Sequence, residues 1–353
     1  MRATWASSPE RPDAEANRFA VYALCELGHH CIMDASGTQL RCARGCAFGP
    51  VPSRRLGQSL GVNTVPYKTC TYSCVYCQLG STEHLSVERR VYYSTDSVVG
   101  EVHNRLRSLA VKPDYVTLLG CGEPTLASNM GDILAGLSEV SDCRKALLTN
   151  GALLWMPEVR RDALGFDVVM PTVAAGSEKL FRRIHRPHPP LSNKRVLSGI
   201  RRFSEEFAGE IWAEVMLVGG VNDDRGSLED IRRALRHIRA EKIHLTAPTR
   251  PPTENWVKCP TREAVELALS IISGASNTTE QETGDFGSRK ETVVEDLLAM
   301  AAVHPMREEQ VLDVLRGAGM SQDKAIDTLR QLVDGSRLMK TGHLGMVFYR
   351  TGR

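Results

Sequence analysis

Lys68-Thr-Cys70-Thr-Tyr-Ser-Cys74-Val-Tyr76-Cys77 is the stretch on which the reading of this chain turns. It sets three thiols on one short loop, directly after an apolar run, Leu60-Gly-Val-Asn-Thr-Val65. Ligands from one loop can converge on one ion or cluster. Three thiolates match three irons of a cubane, which leaves the fourth iron open to a cofactor or substrate. Part of a zinc site fits the same spacing. The next apolar run ends in Gly120-Cys-Gly122-Glu123-Pro124. The exposed backbone and Glu123 carboxylate of that turn suit a cationic amino group, although a glycine turn by itself is also an ordinary tight connection. Two such features at adjacent strand ends make a cofactor site the stronger reading.

Working outward, short apolar runs alternate with amphipathic ones. The pattern predicts strands at about 60–65, 114–119, 144–149, 166–172, 211–218 and 241–247. Helical periodicity lies near 95–109, 127–140, 157–163, 191–208, 226–239 and 261–273. Strands separated by helices imply right-handed βαβ units and a parallel sheet. The expected class is therefore α/β, as an open or partial (β/α)6 barrel with its chemistry at the C-terminal strand ends. A doubly wound sheet fits the pattern alone. Residues 274–290 are polar and rich in Gly and Ser, and read as a linker. Three short amphipathic helices near 291–302, 307–316 and 321–334 and a hairpin over 337–350 then describe a winged-helix-like domain. The expected division is a cysteine-rich extension (1–47), a barrel (48–273), the linker and this last domain (291–353).

The charged fraction is 24% and the formal net charge +2, so nothing global demands a nucleic-acid or anionic-membrane partner. The sequence has no apolar stretch near the roughly 20 residues that span a bilayer. Its first 20 residues lack the apolar core of a secretory signal, so the expected address is the cytoplasm. In a reducing compartment ten cysteines point to metal sites or free thiols rather than disulfides.

Cys70, Cys74 and Cys77 resemble the three-cysteine motif of the radical S-adenosylmethionine superfamily. A closer likeness covers about residues 48–260. Its markers are Phe48-Gly-Pro-Val-Pro-Ser-Arg-Arg-Leu-Gly57, Leu147-Leu-Thr-Asn-Gly151, Arg186-Pro-His188, Glu214-Val-Met-Leu-Val218 and Arg250-Pro-Pro252. These are similar to a group of Fe–S oxidoreductases related to wybutosine-type tRNA modification enzymes. The resemblance implies a 4Fe–4S cluster on the three cysteines and S-adenosylmethionine on its open iron. Reductive cleavage would then give methionine and a 5′-deoxyadenosyl radical that abstracts hydrogen from a substrate: a small molecule, a peptide or RNA. It implies a reductant such as flavodoxin or ferredoxin. The cofactor contacts implied are Tyr76 beside the adenine, the segment Gly120, Gly122, Glu123 and Pro124 at the methionine amino group, and Asn150, Thr172 and Glu214. The chain departs from the family pattern at Pro171-Thr-Val-Ala174, where relatives carry a Ser-x-Asp; Thr172 can serve and Ala174 cannot.

Other residues have two readings each. Cys25, Cys31, Cys42 and Cys46, with His29 and His30 nearby, suit an auxiliary Fe–S cluster or a structural zinc, or are free thiols. Cys121 reads as a small buried hydrophobe or as a ligand or reactive thiol, and Cys143 and Cys259 read as packing. Arg54 and Arg55 suit an anionic substrate or cofactor carboxylate, or are structural ion pairs. His185 and His188 flank a turn able to close over the site, or are structural. Glu214 reaches the cofactor or is a buried, paired carboxylate. Residues 291–353 carry eight Lys/Arg against nine Asp/Glu, which argues against DNA and for protein docking or packing. Two rival functions follow: a tRNA-modifying radical enzyme, or a zinc-stabilised winged-helix regulator that binds nucleic acid.

Overall fold

Side-chain alternation along the strands of the computed structural model sorts its core into two faces. The structure describes residues 45–351 apart from 281–283, 285 and 287–290, with the backbone of three short strands at Ala23–Leu24, His30–Met33 and Gln39–Leu40. The main sheet holds eight strands: β1 (Ala47–Ser53), β2 (Gly57–Asn63), β3 (Tyr115–Leu119), β4 (Arg144–Thr149), β5 (Val168–Pro171), β6 (Glu210–Met216), β7 (Lys242–Thr246) and β8 (Ala275–Asn277). They lie in chain order, antiparallel between β1 and β2 and parallel from β2 onward. Helices α1 (Thr95–Ser108), α2 (Met130–Val140), α3 (Pro157–Ala163), α4 (Glu178–His185), α5 (Asn193–Glu206), α6 (Arg225–Leu235) and α7 (Arg262–Ile271) provide the crossovers.

On the helix-covered face, Leu118, Leu147, Val169 and Val215 share one core with Ile133, Phe203 and Ile231. Truncating such a leucine to Ala costs about 2–5 kcal/mol. The alternate residues Tyr115, Ala146, Val168, Met170 and Trp212 join Leu56 in a separate cluster on the other face. They lie toward the N-terminal ends of their strands and plug that part of the interior. Thr117, Glu214 and Met216, two or more residues further on, face a cavity instead. The α/β class with a parallel sheet stands.

Three elements depart from the sequence expectation. β8 lies inside the stretch read as a linker. β1 is an edge strand that contains Pro50 and Pro52, which an edge tolerates. α4 has only eight residues and was not foreseen.

After the sheet come α8 (Val293–Val303), α9 (Glu308–Gly317) and α10 (Gln322–Asp334), and β10 (Leu338–His343) pairs with β11 (Met346–Thr351). The two-residue strand β9 (Met306–Arg307) adds to β11. Leu297, Met300 and Val311 pack in one cluster with Phe48, Val51 and Cys121 of the sheet region. Arg105 on α1 pairs with Asp296 on α8 at 2.7 Å, both buried, and also donates to the Gly49 carbonyl. His343 Nε2 donates to the Pro248 carbonyl at 2.8 Å.

Candidate active site

Beyond Asn63 the chain enters the loop 64–80 that carries Cys70, Cys74 and Cys77, and two glycines let the turn after β3 lie directly against it. A Cβ at Gly122 would stand 1.8 Å from the Thr69 carbonyl, and one at Gly120, where φ is +122°, 1.7 Å from Asn63 Oδ1. The freed space is used for hydrogen bonds. Lys68 N–H donates to the Cys121 carbonyl at 2.7 Å and Glu123 N–H to that of Thr69 at 3.0 Å.

The Glu123 carboxylate is buried at the foot of this turn. It is 2% exposed. Oε1 accepts from the Thr125 N–H and from the hydroxyls of Thr125 and Thr149, the latter two at 2.6 Å, and Oε2 accepts from Asn150 N–H at 2.8 Å. Burial raises its pKa against the pull of these bonds. The turn Pro124–Leu126 and the end of β4 thus supply Glu123 with four donors that need an acceptor. Pro124 opens a short helical turn, Pro124–Leu126. Asn150 extends the chain of contacts: its Nδ2 donates to Thr71 Oγ1 at 2.8 Å and lies 3.6 Å from Cys70 Sγ.

The turn after α4 supports the other side of the loop. Ser73 N–H donates to the His185 carbonyl at 3.0 Å, Val75 N–H to Ile184 at 2.9 Å, and His188 N–H to Thr71 at 2.9 Å. His185 Nδ1 lies 3.3 Å from Cys74 Sγ and 3.5 Å from the Tyr76 hydroxyl. Burial holds its pKa down to about 3, so the ring is neutral at ordinary pH. Lys68, which sequence reasoning passed over, is buried with φ +54° and donates to Cys77 Sγ at 3.2 Å. Burial works to lower its pKa, but Cys77 and Cys70 outweigh it and the net shift is upward. A cation at the head of a three-thiol loop was the signal available in the sequence.

The three thiols are half-buried and none is in a disulfide. Burial pushes Cys70 up to about 12 and Cys74 well above the ordinary thiol range. Among the described residues no three His, Cys, Asp or Glu side chains are grouped to hold a single metal ion. Three thiols on one loop match three irons of a cubane. Loading would require the thiols to give up their protons.

The remaining candidates are placed as follows. Thr172 pairs through its backbone with Glu214, and the Glu214 carboxylate is ion-paired with Arg55. Cys46 is buried in the main core. Cys25 and Cys42 lie outside the described residues, and Cys31 is on a strand described by its backbone alone. Cys121 is fully buried, and the Cys143 and Cys259 thiols donate to the carbonyls of Pro113 and Pro248.

Inside the barrel lies a cavity of about 220 Å³. Ser59, Thr117, Glu214 and Thr246 line it from the strands, Tyr76 and Gln78 from the cysteine loop, and Arg54 and Arg55 from the turn before β2. Arg250, part of the Arg250-Pro-Pro252 marker after β7, and His304 from the end of α8, which was not singled out from sequence, complete it.

A cysteine loop over the interior of a partial barrel defines a class, and the comparisons agree. The model of the Radical SAM superfamily matches residues 64–231, and the protein is a radical SAM enzyme. A UPF0026 protein of Methanocaldococcus jannaschii is 37% identical over 309 residues, spanning 86% of this chain and 95% of that one. One from Helicobacter pylori is 29% identical over 74% of this chain and 85% of its own length. The chain belongs to the UPF0026 family. Its fold is also similar to that of a radical SAM methyltransferase from Sphaerobacter thermophilus, with TM-score 0.50 and 14% identity over 73% of this chain and 76% of that one. The superfamily uses a 4Fe–4S cluster and S-adenosylmethionine, and its enzymes generally need a reductant.

Proposed function

We propose that this enzyme holds a 4Fe–4S cluster on Cys70, Cys74 and Cys77, cleaves S-adenosylmethionine reductively and carries out radical chemistry on a substrate in the barrel. The observation that supports this best is three separate thiols on one loop braced by a glycine turn on one side and the His185 turn on the other. Bound together, cluster and S-adenosylmethionine would supply a carbon-centred radical able to abstract hydrogen. The chain's own part is geometry. Thr69, Cys121, Glu123 and Asn150 fix the loop to the ends of β3 and β4. Tyr76 of the cysteine loop lines the cavity and suits the adenine side of the cofactor. A flavodoxin or ferredoxin fits as the electron donor.

The proposed division sets a barrel over about 48–273 and a winged-helix-like unit over 291–353, in which α8 walls the cavity. None of the helices in the described residues is long and apolar enough to cross a membrane, and a cytoplasmic address goes with this reading. Incubating reduced, anaerobic protein with S-adenosylmethionine and identifying the products by mass spectrometry tests the proposal. Methionine with 5′-deoxyadenosine supports it, and intact S-adenosylmethionine contradicts it.

A further inference from the structure

We propose that the barrel cavity binds a small substrate by an oxyanion group, carboxylate or phosphate, gripped by Arg54, Arg55 and Arg250. This rests on the radical-enzyme reading for the word substrate, but the anion site stands on its own geometry. Three guanidinium groups from two distant segments line one cavity, and among the described lining residues Glu214 is the one carboxylate. Glu214 is ion-paired with Arg55. Burial, then Arg54 and Arg250, bring the Arg55 pKa down to about 9.

Arg250 is aimed by both halves of the molecule. One of its Nη groups donates to Gln78 Oε1 at 3.0 Å and the other meets His304 Nε2 at 2.9 Å. For Nε2 to accept, His304 must be neutral with its proton on Nδ1. Gln78 in turn donates to the Val303 carbonyl at 2.9 Å. The cysteine loop and the end of α8 therefore fix one guanidinium in the cavity wall, and a guanidinium suits the planar oxygens of a carboxylate or phosphate. The Thr246 and Thr249 side chains add hydroxyls to the same lining. The cavity is smaller than the roughly 300–1,000 Å³ of drug-sized pockets, so it fits a small anionic molecule or the anionic end of a larger one.

The test uses the full-length protein without S-adenosylmethionine or reductant. Inorganic phosphate and malonate are each titrated by calorimetry against wild type, R250Q and R54Q, with potassium chloride at matched ionic strength as control. Saturable binding in wild type, weakened about tenfold or more in both variants, is the expected result. Phenylglyoxal labelling of wild type, read by mass spectrometry, adds a measurement that no folding defect can spoil: phosphate or malonate should protect Arg54, Arg55 and Arg250. Absence of saturable binding and of protection overturns the inference, as does equal affinity in all three proteins. Cofactor cleavage without anion binding sinks this inference alone; anion binding without cofactor cleavage sinks the radical reading alone.

Discussion

The backbone N–H of Asn150 donates to Glu123 Oε2 at 2.8 Å, so the end of β4 is tied to the turn that leaves β3. The Asn150 side chain carries the tie on to Thr71, next to the first cysteine. A buried carboxylate thus holds the loop, and the loop holds the thiols.

Replacing Glu123 by Ala leaves four buried donors without their acceptor. The expected cost is about 3 kcal/mol of stability, together with a fall in iron bound after reconstitution. Denaturant unfolding and iron analysis check this. Unchanged stability with full iron content would show that Glu123 is not a clamp.

Lys68 places an ammonium 3.2 Å from Cys77 Sγ. Cluster potentials respond to nearby charge and to hydrogen bonds on sulfur. K68M removes both, so its midpoint potential should move to more negative values. A redox titration followed by electron paramagnetic resonance reads the shift; a midpoint unchanged or more positive contradicts the role.

The Arg105–Asp296 pair is buried between α1 and α8. D296A strands a buried cation and is expected to cost about 3–5 kcal/mol, whereas the double variant R105M/D296L should recover much of that loss. Urea unfolding of the three proteins distinguishes a docking ion pair from an idle one, for which D296A would match wild type.

These contacts also mark where the sequence stops being legible. Strands from β2 to β7 announce themselves because burial on both faces makes apolar runs, and their helices by amphipathic period. β1 is disguised by Pro50 and Pro52, and β8 by Ser276 and Asn277, since edge strands are free to be polar. α4 is eight residues long; its Ser177 cap and the Phe181–Ile184 spacing were the available cues. The three cysteines could be read directly because spacing on one loop is local. The Arg250–His304 contact could not, because it joins residues from opposite sides of a polar stretch. The hydrogen bonds of Glu123 could not be read locally because its donors Thr149 and Asn150 arrive from another strand.

His244 gives a pH dependence. Burial, then Arg55 and Lys242, lower its pKa to about 4. The unfolded chain therefore binds more protons between about pH 6.5 and 4, and stability falls as the pH drops through that window. At about 1.4 kcal/mol per unit the His244 contribution is at most about 3 kcal/mol. His185, held near 3, acts in the same direction. H244N should flatten the acid slope of the unfolding free energy; an unaltered slope would exclude His244 as a source.

The most direct test of the central claim is the iron and sulfide content of anaerobically reconstituted wild type beside the C70A/C74A/C77A variant. The variant is first shown to be folded by circular dichroism. About four irons and four sulfides per chain are expected in wild type, with a reduced-cluster resonance that S-adenosylmethionine perturbs. The variant should lack that resonance and cleave no S-adenosylmethionine. Cofactor cleavage at the wild-type rate in the triple variant would contradict the account.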